Sequence, residues 1–301
     1  MNTRKSTSQR PRHYLFSKRN FTAVLIAVLL LPLRFAWADK SDLEGQLKSG
    51  YEGKTLTLRH FYSGEHLRFH SDGALSGYAQ VGPWTLDGQI AVDKIQLRGG
   101  LLVIQGRRIH LNFDSQHKPQ DYLMAIQNSQ NKAVKDKDLE KILRRLKVEV
   151  EIELPSDKPD PKDVSSAIDA VFLAGSNSML GIVPNYWCAY FAKQEGKPAP
   201  EPKEPVYRVN SRGVSAPHVT YAPDPEYSEE ARELKFQGTI VISLVVDASG
   251  TTRDIQIQGP VGLGLDEKAV AAVSTWQFDP AQKDGEPVPV AINVEVNFHL
   301  Y

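Results

Sequence analysis

Short alternations of apolar and polar residues recur between about residues 50 and 115, and turn signals separate them. Gly-containing turns occur at residues 71–73, 86–88, 98–100 and 105–106. The alternating apolar positions are Leu56/Leu58, Leu67/Phe69, Ile90/Val92, Leu101/Val103 and Ile109/Leu111/Phe113. Many short strands joined by glycine turns predict a β-rich meander that forms a small barrel or sandwich.

The next segment mixes helical and strand periods. Leu139, Ile142 and Leu146 fall on one helical stripe, whereas residues 148–154 alternate apolar residues with glutamate, as in a strand with one wet face. A second helix is predicted with Asp163 as its N-cap, because apolar residues follow Asp163 at helical spacing. We therefore predict that residues 39–196 form one β-rich domain with two helices.

Residues 197–225 have a different character. Seven prolines occur in these 29 residues, with little apolar periodicity between them. Such a stretch is typically extended and semi-rigid. The composition predicts a linker between two domains.

The end of the chain has the clearest strand pattern. Every second residue from 288 to 300 is apolar, and polar residues such as Asn293, Glu295 and Asn297 alternate with them. One buried and one wet face indicate an antiparallel sheet that helices cover on one side. With helices near Ser228 and over residues 265–273, residues 226–301 are predicted to form a three-stranded antiparallel sheet with two helices. The fold class of the chain is therefore α+β.

The N-terminus has the layout of an export signal. Residues 1–20 hold six Lys or Arg and no acid, residues 21–33 are almost wholly apolar, and Ala36-Trp37-Ala38 is a small-x-small cleavage site. This predicts a secretory signal peptide over residues 1–38 and a periplasmic protein. The alternative is an uncleaved inner-membrane anchor, but Arg34 ends the apolar run before the ~20 residues that a spanning helix needs.

Charge and cysteine content narrow the function further. The chain has 36 Lys/Arg and 36 Asp/Glu, but the first 38 residues carry seven of the basic side chains and no acid, so the remainder has a net charge of −7. This excess of acid argues against nucleic-acid binding, which needs a basic face. Cys188 is the one cysteine, so the chain has no internal disulfide.

No pattern in the chain predicts catalysis or a cofactor. His66 and His70 are close enough in sequence to share a face, but zinc sites need three or four converging ligands. Residues 259–264 lack the order of a phosphate loop, and residues 175–178 do not form a nucleophile elbow. We therefore predict a protein that is not an enzyme and binds no metal.

The last 75 residues carry a set of short motifs at fixed spacing. Tyr227 and Gly238 are eleven residues apart, residues 247–250 form an Asp-x-x-Gly turn, and residues 264–267 read Gly-Leu-Asp-Glu. Trp-x-Phe-x-Pro-Ala follows at residues 276–281. As a set, these motifs resemble the C-terminal domain of the TonB energy-transducer family, over about residues 215–301. The resemblance implies a peptide-binding domain without catalytic machinery.

The resemblance also implies where a partner would bind. The last strand would accept an extended peptide of an outer-membrane receptor or another envelope protein, by strand addition. Glu226 and Tyr227 would lie near that peptide. The strand residues concerned are Val290, Ala291, Ile292, Asn293, Val294, Glu295, Val296, Asn297 and Phe298.

Three alternatives stay open on sequence grounds. The chain would be a membrane-anchored energy transducer if residues 21–38 are retained. It would be an enzyme or a small-ligand binder, with the C-terminal domain as a tether, if the His and aromatic residues between 50 and 195 form a site. It would be an envelope scaffold or homodimer if the exposed edge strand pairs with a second copy.

Overall fold

The computed structural model of the chain describes residues 40–128, 136–173, 178–202, 204–209, 211 and 213–300. The predicted signal peptide lies outside the described residues. The N-terminal part contains α1 (Lys40–Tyr51), β1 (Thr55–Leu58), β2 (His66–Phe69), α2 (Trp84–Asp87), β3 (Gln89–Arg98), β4 (Leu101–Arg108), β5 (Leu111–Phe113), β6 (Pro119–Asp121), α3 (Tyr122–Asn128), α4 (Asp136–Arg145), β7 (Lys147–Glu153), α5 (Pro161–Val171), β8 (Phe172–Leu173) and α6 (Cys188–Gln194). The C-terminal part contains β9 (Tyr207–Arg208), β10 (His218–Tyr221), α7 (Glu229–Glu233), β11 (Gly238–Val246), β12 (Thr252–Gly259), α8 (Leu265–Val273), β13 (Gln277–Asp279), β14 (Gln282–Lys283), β15 (Glu286–Pro287) and β16 (Val290–Phe298).

The main sheet of the N-terminal part is open. Its six strands lie in the order β2-β7-β4-β3-β1-β8, and β2 pairs with β7 in parallel while the other neighbours are antiparallel. The predicted small barrel is therefore wrong, because β2 and β8 remain unjoined edges within the described residues. Helices α1 and α5 bury apolar side chains in the same core as the sheet. The helices therefore cover the apolar face that closure into a barrel would otherwise have buried.

Two local predictions in this part have different outcomes. The alternation over residues 148–154 is strand β7, whose Val148, Val150 and Ile152 are buried. Helix α5 begins at Pro161 rather than after Asp163, because Asp160 is the N-cap and its side chain accepts a hydrogen bond from Asp163 N. Proline at the first helical position fits this start, since its missing N–H would have no partner there.

The C-terminal part is built on a sheet in the order β12-β11-β16-β9. Strands β12, β11 and β16 are antiparallel neighbours, and β9 adds to β16 in parallel. The helix predicted near Ser228 is α7, and Ser228 caps it by accepting a hydrogen bond from Ala231 N at 3.1 Å. Helices α7 and α8 contribute Ala231, Ala269 and Val273 to the core beneath this sheet.

The two parts are packed against each other. Ile257 of β12 is buried in the core of the N-terminal part, and Leu86 of α2 is buried in the core of the C-terminal part. Residues 197–225, predicted to be a linker, contain β9 and β10, which pair with β16 and β13. This segment therefore contributes strands to the C-terminal part as well as joining the two.

Candidate functional site

One side of β16 is fully paired and the other is nearly free. On one side β11 pairs with the whole strand in an unbroken antiparallel register, from Gly238 opposite Phe298 to Val246 opposite Val290. On the other side β9 pairs with Val290 and Ala291 alone. No other described strand pairs with residues 292–298 on that side. We call residues 292–298 the open edge.

The direction of the backbone identifies the free groups on the open edge. Tyr207 N donates a hydrogen bond to Pro289 O at 3.0 Å, so residue 289 faces β9. Backbone groups of alternate residues point to the same side of a strand. The residues whose N–H and C=O groups point to the open edge are therefore Asn293, Glu295 and Asn297. Each offers one donor and one acceptor to an added strand.

The side chains of β16 divide between two faces. Those toward the helices are buried or half-buried: Val290, Ile292, Val294, Val296 and Phe298. On the other face, Asn293, Glu295 and Asn297 are exposed, and Asn297 Oδ1 accepts a hydrogen bond from Thr239 Oγ1 at 2.5 Å. The charge of Glu295 on the edge strand is of the kind that limits indiscriminate strand pairing.

Strand β9 is held in place by contacts beyond β16. Lys283 Nζ lies 4.8 Å from the centroid of the Tyr207 ring. Ser215 N donates to Gln282 O at 2.9 Å, and Gln282 N donates to Ser215 Oγ at 2.8 Å. These contacts therefore hold β9 beside the first residues of β16. Of the nine edge residues predicted from the sequence, Val290 and Ala291 are already paired, and seven lie on the open edge.

Glu226 and Tyr227 precede helix α7. The Tyr227 ring packs edge-on against the Phe298 ring, with centroids 5.2 Å apart and an interplanar angle of 88°. The Tyr227 hydroxyl is buried without a hydrogen-bond partner among the described residues. Glu226 is exposed, and its carboxylate lies 3.1 Å from Lys268 Nζ on α8. The structure thus brings Tyr227 to the end of β16 and turns Glu226 toward α8.

A cleft of about 780 Å³ lies between the two parts of the chain, and Tyr227 is one of its lining residues. Residues 80–83 and 86–87 line it from the N-terminal part, and residues 225–230 line it from the C-terminal part. Its basic side chains are Arg232 and Lys268. Its acidic side chains are Asp87, Glu226, Glu229, Glu230 and Glu267. We call it the acidic cleft.

Burial raises the pKa of two acids that line the acidic cleft. It raises the pKa of Asp87 to about 6, and the Glu230 carboxylate adds to the rise. Burial also raises the pKa of Glu267, and the neighbouring Asp266 adds to that rise. Trp187 Nε1 donates to Glu267 Oε1 at 2.9 Å, whereas Glu267 Oε2 has no partner in the described structure. Both carboxyl groups therefore hold protons to a higher pH than exposed acids do.

The opposite edge of the C-terminal sheet, β12, lies against the N-terminal part. Ala189 N at the start of α6 donates to Gln256 Oε1 at 3.0 Å, and Ile257 is fully buried there. Close by, Leu263 N donates to Leu111 O at 2.8 Å. One edge of the sheet is therefore packed inside the molecule, while the other carries the open edge.

The remaining candidates from the sequence have structural partners. His66 on β2 lies 3.7 Å from the carboxylate of Glu149 on β7, and His70, directly after β2, lies 2.7 Å from the carboxylate of Glu153 on β7. Across the ranges that the structure describes, no group of three or more His, Cys, Asp or Glu is placed to hold a metal ion. Cys188 is half-buried and outside any disulfide, and burial raises the pKa of its thiol.

Among the helices that the structure describes, none has both the length and the apolar character needed to cross a membrane.

Comparisons with known proteins point to the same end of the chain. The family model described as Gram-negative bacterial TonB protein C-terminal matches residues 223–300. Protein tonB2 of Pseudomonas aeruginosa is 35% identical over 79 residues, which are 26% of this chain and 29% of that protein. Protein TonB of Vibrio cholerae is 32% identical over 77 residues, which are 25% of this chain and 32% of that protein.

A solved structure is also similar in part. The solution NMR structure of the Pseudomonas aeruginosa TonB C-terminal domain aligns with 32% of this chain and 96% of its own, at 16% identity and a TM-score of 0.24.

Proposed function

Since residues 223–300 form a TonB C-terminal domain, we propose that the chain is an exported, periplasmic protein-interaction module. It binds extended peptide segments of outer-membrane or other envelope proteins by adding them as a strand to the open edge. Through these contacts it supports TonB-dependent transport. The signal-like pattern of residues 1–38 supports the export, and strand addition needs no catalytic group.

The observation that carries this proposal is β9. This segment lies in parallel beside β16 and is paired through its backbone, so the chain itself supplies an example of strand addition on this side. β9 ends opposite Ala291, and beyond it no strand among the described residues pairs with Asn293, Glu295 or Asn297. A visiting strand would continue the sheet where β9 stops.

The size of the open edge predicts a modest affinity. Three residues offer about six backbone hydrogen bonds, each worth about 0.5–1.5 kcal/mol net. Ordering a flexible peptide and losing its translational freedom offset much of that gain. We expect dissociation constants of about 10 μM to 1 mM for a peptide that uses the backbone alone. Tighter partners need side-chain contacts at the ends of the edge.

A proline substitution tests strand addition directly. Glu295→Pro removes a backbone N–H that faces the open edge and that β11 does not use, and proline is tolerated at such positions of edge strands. Glu295→Gln keeps the N–H and removes the charge, so it is the matched control. The full chain, purified from the envelope fraction, is titrated calorimetrically with synthetic peptides that copy the periplasmic N-terminal segments of TonB-dependent receptors.

The two variants should separate clearly. We expect Glu295→Pro to weaken peptide binding about tenfold or more, and Glu295→Gln to change it less than about threefold. Receptor peptides that fail to bind the parent at about 1 mM would overturn the proposal. Binding to the folded Glu295→Pro variant with the affinity of the parent would also overturn it.

A further inference from the structure

Tyr227 connects the acidic cleft with the end of the open edge. Tyr227 lines the cleft, and its ring contacts the ring of Phe298, the last residue of β16. A strand added along residues 292–298 would end beside Phe298 and so near Tyr227. A long side chain directly beyond that strand would extend toward the cleft that Tyr227 lines.

The cleft has more negative than positive groups available. Its two basic side chains already have acidic neighbours, since Lys268 lies 3.1 Å from Glu226 and Arg232 lies 3.9 Å from Glu229. Asp87 lies 3.2 Å from Arg108, which belongs to the N-terminal part. The acids that line the cleft without an ion pair in the described structure are Glu230 and Glu267.

Glu267 is an independent sign that a partner is missing. The side chain is half-buried, but its Oε2 atom is buried and has no hydrogen-bond donor among the described residues. Buried polar atoms are nearly always paired, so an unpaired one needs an explanation. A cation brought into the cleft would stabilise the ionised form of this carboxyl and would compensate its missing partner.

We propose that the acidic cleft binds a basic flank of the bound peptide, namely one or two Lys or Arg side chains directly beyond the strand-forming segment. The inference rests on the proposed function and adds a specificity to the same site. Because β9 shows parallel addition to β16, the C-terminal flank of a parallel peptide is the one that meets the cleft. The N-terminal part supplies residues 80–83 and 86–87 of the cleft wall, so it takes part in choosing the partner.

The test uses three synthetic peptides of about ten residues with one common Thr/Val alternating strand. The first ends in Lys-Lys, the second ends in Gln-Gln, and the third begins with Lys-Lys. Each is titrated against the full chain and two variants. The cleft variant is Glu226→Gln/Glu229→Gln/Glu230→Gln, whose residues all line the cleft. The matched control is Asp279→Asn/Asp284→Asn/Glu286→Gln, which removes the same charge from residues outside the cleft lining.

For the parent, we expect the peptide that ends in Lys-Lys to bind about tenfold tighter than the Gln-Gln peptide at low salt, and less than about threefold tighter at about 0.5 M NaCl. The cleft variant should lose this preference, and the control variant should keep most of it. The peptide that begins with Lys-Lys should bind like the Gln-Gln peptide. Binding of the favoured peptide should release protons, seen as a dependence of the calorimetric heat on the buffer.

The outcomes separate the two proposals. Equal affinities for the first two peptides, or an equal loss of preference in both variants, would overturn the proposal that the cleft binds a basic flank. The proposal of strand addition would not be affected. A preference for the peptide that begins with Lys-Lys overturns the parallel direction. If none of the three peptides binds, both the flank and the proposed function are overturned.

Discussion

The two edges of the C-terminal sheet face different surroundings. β12 is packed beneath α6, with Ile257 fully buried and Gln256 accepting a hydrogen bond from Ala189 N. β16 is paired with β9 at its first two residues, and no other strand in the described part of the chain covers that side beyond them. A sheet with two free edges is prone to uncontrolled pairing. The N-terminal part therefore covers one edge of the sheet, and the open edge lies on the other.

The largest expected effect tests the difference between the side of β16 that pairs with β11 and the side that forms the open edge. Val294→Pro removes an N–H that points to β11, whereas Glu295→Pro removes one that points to the open edge. We expect Val294→Pro to lower the free energy of unfolding by more than about 3 kcal/mol and Glu295→Pro by about 1 kcal/mol or less. Urea unfolding of both variants measures this difference. Equal losses would mean that the outward groups of β16 are not free.

A smaller effect is expected from weakening the contact between the N-terminal part and the C-terminal part on the β12 side of the sheet. Gly262 has φ +94°, and a Cβ there would lie 2.2 Å from Leu111 O of the N-terminal part. Gly285 has φ +86° with open space around it, so Gly285→Ala is the matched control. We expect Gly262→Ala to cost about 2–3 kcal/mol and the control about 1 kcal/mol in thermal or urea unfolding. Similar costs would show that the contact between the two parts is loose.

The effect of pH on stability through Glu267, which accepts a hydrogen bond from Trp187 of the N-terminal part, should be smaller still. Burial raises the pKa of Glu267 above its ordinary value of 4.5, so its contribution to stability is complete below that value and is lost as the pH rises toward the folded-state pKa. We expect the free energy of unfolding to fall by about 2 kcal/mol between about pH 5 and pH 8. In Glu267→Gln, which still accepts from Trp187, the fall should be less than half as large. Parallel curves for parent and variant would contradict the buried-carboxyl account.

Local patterns in the sequence predicted several elements of the C-terminal part. The alternation over residues 288–300 gave β16 and its buried face, because one wet and one dry side impose a period of two. Ser228 was recognisable as an N-cap, since a serine before a helix accepts a backbone hydrogen bond. Both signals depend on neighbours in sequence.

Structural features that depend on residues far apart in the chain could not be predicted from the local pattern of apolar and polar residues. Asp266 and Glu267 look like exposed first-turn acids favoured by the helix dipole. The structure buries Asp266, whose carboxylate accepts from the backbone N–H groups of Val261 and Gly262, and half-buries Glu267, whose carboxylate accepts from Trp187. β9 has two residues and therefore no alternation to recognise, and the open sheet of the N-terminal part depends on β7 inserting between β2 and β4.

Amide hydrogen exchange along β16, measured by NMR on the full chain with and without a receptor peptide, tests the open edge most directly. In the free chain, we predict slow exchange at Ile292, Val294 and Val296, and fast exchange at Asn293, Glu295 and Asn297. A saturating peptide should slow the three fast amides and leave the others unchanged. Slow exchange at Asn293, Glu295 and Asn297 before any peptide is added, or fast exchange that the peptide does not alter, would contradict the account.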